Sequence, residues 1–157
     1  MHGAGMIYGT ESSRNMLNNM INFMQYILIY LVSVPTFFLI DMAWLGIVAR
    51  GIYRTQLGSL LAPSVNWPVA ICFYLLFLVG LMVFAIVPAI EAKDILRATF
   101  YGALFGFFTY ATYDLTNWST LRDWPAMISL IDMAWGTFLA ASVSGITAWV
   151  ALAFIIR

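Results

Sequence analysis

The sequence predicts an all-α integral membrane protein, a bundle of four transmembrane helices with little protein outside the bilayer. Composition is the first reason. The chain is 63% hydrophobic and only 9% charged, with mean hydropathy +0.91, whereas a soluble domain is typically about 45–50% apolar and about 25% charged. A domain of 157 residues leaves much of its surface uncovered, so water is a poor solvent for so apolar a chain. Distribution is the second reason, because the apolar residues fall into four long runs joined by short polar connections. Crossing a hydrocarbon core about 30 Å thick takes roughly 20 helical residues, and each run has that length. A spanning segment must satisfy its own backbone hydrogen bonds, which makes helix the default. The runs are apolar on every face, unlike the alternating strands of a membrane barrel.

Residues 1–20 read as a polar tail, either disordered or upstream of the true start, with Met16, Met20 and Met24 as alternative starts. They do not read as a signal peptide, because the apolar run that follows exceeds an h-region. Residues 21–157 read as one four-helix domain. The first helix is expected over residues 21–49. In the longer connection, residues 50–64, Ile52, Tyr53, Leu57, Leu60 and Leu61 share a helical face with Arg54 and Gln56 off it. Two readings stand for it: a short interfacial helix or an irregular polar loop. The second helix is expected over residues 65–90, free of charge, with Pro68 in its first turn, where a missing N–H is no loss. The turn Glu91-Ala92-Lys93-Asp94 leads to the third helix, residues 95–117. The fourth is expected over residues 125–156. Before it, Asp123 reads as an N-cap followed by Trp124-Pro125, and the tryptophans fit an interfacial aromatic belt.

An even helix count puts both termini on one face, called side A here. Side A carries Arg14, Lys93, Arg97 and Arg157, and side B carries Arg50, Arg54 and Arg122. Under the positive-inside rule this small bias leans toward side A being cytoplasmic. Seven basic residues balance seven acidic ones, so there is no basic face for nucleic acid. Cys72 is the only cysteine and His2 the only histidine, which excludes an internal disulfide and a Cys/His zinc site. A site of carboxylates alone is not excluded on these grounds, but no metal and no cofactor is expected. The nine methionines are scattered, as core filler would be. No phosphate loop, Ser-His-Asp set or CxxC motif occurs.

The polar residues inside the apolar runs carry the functional information. Asp41 lies well inside the first helix and Asp132 well inside the fourth. An acidic residue at a helix centre costs about 2.5–3.5 kcal/mol on insertion scales, and such residues face the bundle interior and serve a function. Each stands nine positions from a charged residue at side B, Arg50 or Asp123, a depth of roughly 13 Å at the helical rise. Asp114 lies near the side B end of the third helix, so three carboxylates occupy one half of the membrane. The surroundings also repeat: Leu39-Ile40-Asp41-Met42-Ala43-Trp44 matches Leu130-Ile131-Asp132-Met133-Ala134-Trp135, and Gly46 and Gly136 follow. Asp and Trp three apart share a helix face. A duplication of two-helix units would instead match the first helix to the third. The repeat is either one packing solution reached twice, with polar side chains fastening helices, or a functional pair.

The third helix adds Tyr110, Tyr113, Asp114 and Asn117 at i, i+3, i+4 and i+7, a stripe expected to point into the bundle. Gly102 and Gly106 extend it toward side A and admit a close neighbour. Gly136, Ala140, Ser144 and Ala148 form a matching seam on the fourth helix. The candidate binding site is therefore Asp41, Trp44, Tyr110, Tyr113, Asp114, Asn117, Asp132 and Trp135.

Several segments carry a family resemblance. They are Asp41-Met42-Ala43-Trp44-Leu45-Gly46, Tyr53 with Leu57-Gly58, Asn66-Trp67-Pro68, Tyr110-Ala111-Thr112-Tyr113-Asp114-Leu115-Thr116-Asn117, and Trp124-Pro125 through Asp132, Trp135 and Gly136. Over roughly residues 24–155 the chain resembles a bacterial membrane family, domain of unknown function 2177. The resemblance implies a four-helix protein of a bacterial inner membrane with no established activity. The extension before Met24 departs from the family's usual short start.

Three functions stay open. The first is binding or transport of a small molecule, lipid or ion, which an open pocket would favour and which calls for a homodimer, because four helices are few for alternating access. The second is a small membrane enzyme using paired carboxylates on a lipid-soluble substrate, favoured by two aspartates in contact with each other and with Tyr110. The third is a structural subunit, favoured by an exposed small-residue seam and carboxylates already paired.

Overall fold

The computed structural model describes residues 4–156, with side chains for Met20 and for residues 22–156 apart from residue 59. Among the described residues every regular element is helical, and the elements form four rods. The first rod is α1 (Ala4–Ala43), a π-helical turn (Trp44–Ala49) and α2 (Arg50–Leu57), joined without a break. Ala43 and Arg50 at the joins keep helical dihedrals. The stretch expected as an interfacial helix or a loop is thus a continuation of the first helix. It ends where Gly58, at φ 42°, takes a conformation costly for residues with a Cβ. The same helix runs back to Ala4, through a stretch expected as a polar tail.

The second rod is α3 (Trp67–Leu81), a π-helical turn (Met82–Ile86) and α4 (Val87–Glu91). Its start is as expected, with Pro68 in the first turn and the Asn66 side chain accepting from the Val69 N–H at 3.4 Å. The third rod, α5 (Ile95–Thr120), is capped by Asp94, which accepts from the Arg97 N–H at 3.0 Å. The fourth is α6 (Ala126–Val150) with a π-helical end, Ala151–Ile155. Here one expectation fails. Asp123 is not the N-cap, because it sits in the turn at φ 60°, a conformation Asp tolerates. Pro125 takes the cap position without a side-chain bond, and proline holds the preceding residue extended, so the helix starts too late for Asp123 to reach.

Asn22–Leu57, Trp67–Glu91 and Ala126–Ile155 are long and apolar enough to cross a membrane. At 26 residues α5 is also long enough, about 39 Å, but the Thr, Tyr, Asp and Asn along it make it less apolar than the others. The ends meet as an antiparallel bundle requires. Near side A, Gln25 donates to the Ile155 carbonyl at 3.4 Å and Tyr26 to Glu91 at 3.4 Å. Large side chains such as Leu39, Ile47, Leu76, Phe84, Leu96, Phe108 and Phe138 cover the outside. So extensive an apolar surface is a lipid-facing one. The core is Phe37, Leu78, Leu81, Ile86, Leu139 and Val143.

The tightest contact joins α5 and α6. A Cβ on Gly102 would meet Ala140 O at 2.6 Å, and one on Gly106 would collide with the Gly136 carbonyl. The small-residue seam read on the fourth helix is real and is used inside the chain, since Gly136, Ala140, Ser144 and Ala148 are all buried.

Candidate functional site

The twin Asp-Met-Ala-Trp segments face each other across α1 and α6, and they form one half of a two-fold arrangement. The indoles of Trp44 and Trp135 stack with centroids 4.4 Å apart and planes 7° from parallel. Trp135 Nε1–H donates to Asp41 Oδ1 at 3.4 Å. The bond therefore runs between helices and not to the Trp within the same segment. The reciprocal bond is missing. Asp132 accepts instead from the Tyr53 hydroxyl of α2, and Trp44 Nε1 points to no carboxylate but lies beside that same hydroxyl.

Tyr53 also explains the path of the first rod. It stands twelve residues past Asp41, about 18 Å along a straight helix. The partners of the two residues on α6, Asp132 and Trp135, are only three residues apart, about 4.5 Å. The rod must therefore turn over the side B end of the bundle. The π-helical turn Trp44–Ala49 lies where that turn is needed, and such interruptions of the regular ladder are a common cause of bends. The two aspartates are also offset: Asp41 meets α6 at Trp135, one helical turn farther from side B than Asp132.

All three carboxylates are buried, with relative exposures of 4% for Asp41, 0% for Asp114 and 8% for Asp132. Asp41 Oδ2 and both oxygens of Asp114 lack a hydrogen-bond partner. Asp114 is close enough to Asp132 to be acted on by its charge, and it lies beside Ser129. The Ser129 hydroxyl accepts from Trp124 Nε1–H at 3.0 Å. Tyr74 of α3 lies beside Asp41. No basic side chain is buried among the described residues, and no group of three acidic, His or Cys side chains is placed to hold a metal.

A cavity of about 320 Å³ opens among α3, α5 and α6, lined by Phe73, Phe77, Thr109, Tyr110, Tyr113 and Asp132. Phe73 is six residues from the start of α3, Tyr113 seven from the end of α5, and Asp132 six from the start of α6. The cavity thus lies about 10 Å in from side B by helical rise.

The expected site residues separate into groups. Asp132, Tyr110 and Tyr113 meet at the cavity, while Asp41, Trp44 and Trp135 meet behind it. Asp114 is sealed between helices, and the half-buried Asn117 lies beside Tyr113 but off the lining. Tyr113 does not point into the bundle as the stripe suggested. It is 59% exposed and sits edge-on to Trp124 at 6.0 Å, because i+3 places it at the border of the arc whose centre Asp114 occupies. Sequence reasoning did not select Tyr53, Phe73, Phe77, Thr109 or Tyr74. For Tyr53 there was a signal, since it heads one of the family segments. Phe73 and Phe77 stand in a charge-free run with nothing to mark them.

Chemically, the site offers carboxylate oxygens, a phenol and aromatic walls without a countercharge. Such groups can take up a proton, a cation or a hydrogen-bond donor. The family model described as a predicted membrane protein, domain of unknown function 2177, matches residues 26–149. No curated protein and no solved structure matches the chain.

Proposed function

The chain belongs to the membrane protein family domain of unknown function 2177, and on that premise we propose that it binds or transports a small molecule, lipid or ion. The cavity carries this reading: about 320 Å³, with the buried Asp132 in its wall. Pockets that hold small molecules start at about 300 Å³ and combine apolar walls with a few placed polar groups. The site comprises Asp132, Tyr110 and Tyr113 at the cavity, with Asp41, Trp44, Trp135, Asp114 and Asn117 around it.

Two observations weigh against the other readings. The enzyme reading calls for two aspartates in contact with each other and with Tyr110, whereas no hydrogen bond joins Asp41 and Asp132, which are engaged by different donors, Trp135 and Tyr53. A subunit that docks through its small-residue seam needs that seam free, and here it is buried against α5. Transport by four helices calls for a second copy, so the working unit we propose is a homodimer in a bacterial inner membrane, with side A cytoplasmic.

The test is complementation of a deletion strain, read by lipid and metabolite profiling. Asp132→Asn keeps shape and most hydrogen bonding. It is expected to yield a folded, inserted protein that fails to restore the wild-type profile. A well-folded Asp41→Asn/Asp132→Asn double variant with full activity overturns the proposal.

A further inference from the structure

Resting on the binding reading, we infer that the cavity accepts an organic ammonium group, with the alkyl portion of the ligand along the aromatic wall. The aromatic lining is the first ground. Phe73, Phe77, Tyr110 and Tyr113 supply four of the six lining residues. Phe77 meets Phe73 at 6.0 Å and Tyr110 edge-on at 6.4 Å, so these three rings form a continuous surface. The face of an aromatic ring carries negative potential and attracts ammonium groups, best where water is excluded.

Charge is the second ground. Asp132 and Thr109 supply the rest of the lining, and Asp114 lies close behind Asp132, fully buried beside the Ser129 hydroxyl. The basic residues nearest this end, Arg50, Arg54 and Arg122, are all exposed, so the described residues supply no buried countercharge. An incoming cation would supply it. A metal ion fits less well, because such ions need several oxygen ligands and the described carboxylates do not converge on one point. An ammonium needs only one carboxylate when rings provide the remaining contacts. The Tyr53 hydroxyl already occupies Asp132 Oδ1 and leaves the second oxygen for the ligand.

The same ammonium chemistry occurs in soluble amines and in lipid headgroups, and the experiment distinguishes them. The full chain in dodecyl maltoside is titrated calorimetrically with hexylammonium, 1-hexanol and hexanoate, which share a chain and differ in head charge. Hexylammonium is expected to bind saturably. Asp132→Asn should weaken it about tenfold or more, and Phe73→Leu, at an exposed position, should weaken it severalfold with folding intact. Phosphatidylethanolamine added to the micelles competes if the ligand is a headgroup and does not if it is a soluble amine. Hexanol binding as tightly as hexylammonium, with Asp132→Asn unaffected, overturns the ammonium inference and leaves a neutral-ligand pocket standing. No binding by any of the three, while Asp132→Asn still fails complementation, overturns it as well and leaves the site reading intact.

Discussion

Trp44 and Trp135 are identical residues in identical segments and stack on each other, yet only Trp135 donates a hydrogen bond to a carboxylate. Replacing either by Phe removes similar area from the stack. The difference between the two variants therefore isolates the bond to Asp41. Trp135→Phe strips that carboxylate of its indole donor and leaves it only the neighbouring Tyr74 hydroxyl, a loss of about 1–3 kcal/mol for a buried group left under-satisfied. Thermal unfolding in detergent is expected to place it clearly below Trp44→Phe, and equal midpoints would contradict the assigned bond. Tyr53→Phe should behave like Trp135→Phe, because Asp132 loses its donor while the ring stays. At this scale the sequence was legible only in part. The cost of a charge in lipid marked Asp41 and Asp132 as interior residues, and both are buried. No local pattern could reveal that Asp132 is served by Tyr53 on the far side of a bend, since that pairing spans 79 positions.

Among the helices, the glycines that follow the twin motif have opposite surroundings. A Cβ at Gly136 would strike the Tyr110 ring, while one at Gly46 meets nothing within 4 Å. Gly136→Ala is expected to destabilise by about 1–3 kcal/mol, the usual range for overpacking. Gly46→Ala should be neutral or slightly favourable, because Ala is the better helix former. Thermal midpoints of the two variants in one detergent check this. From sequence the two glycines were equivalent, because the repeat is local and the neighbour that distinguishes them, α5, is not. The apolar runs located all four rods. They could not show that the first passes through a π-helical turn into α2, since the amphipathic face of residues 50–64 also fits a separate interfacial helix. The cap at Asp123 failed for a related reason, as Pro125 delays the helix beyond its reach.

For the whole molecule, antiparallel rods put the turn at Lys93 and the turn at Arg122 at opposite ends, and both residues are exposed. With Cys72→Ser as background, Lys93→Cys and Arg122→Cys are expected to react with a membrane-impermeant maleimide from opposite faces of oriented vesicles. Labelling from one face would refute the four-rod topology. Membership of the membrane class was the most legible property, because it depends on summed composition and not on any single contact. The exception is instructive: α5 is the least apolar rod because one of its faces meets α6 through glycine, Asp114 and Tyr110. Its outer face still carries Phe100, Leu104, Phe107 and Phe108 to the lipid.

The stacked indoles have an optical consequence. Two indoles stacked 4.4 Å apart share their excitation, and the twist of one in-plane transition moment against the other sets a circular dichroism couplet of paired signs that an isolated tryptophan lacks. Trp44 rides on the π-helical turn and Trp135 on the straight α6. Any shift of the turn that draws Tyr53 from Asp132 would separate the rings and collapse the couplet. The protein thus carries its own unlabelled gauge of that movement, readable while a ligand is titrated, and Trp44→Phe serves as the blank.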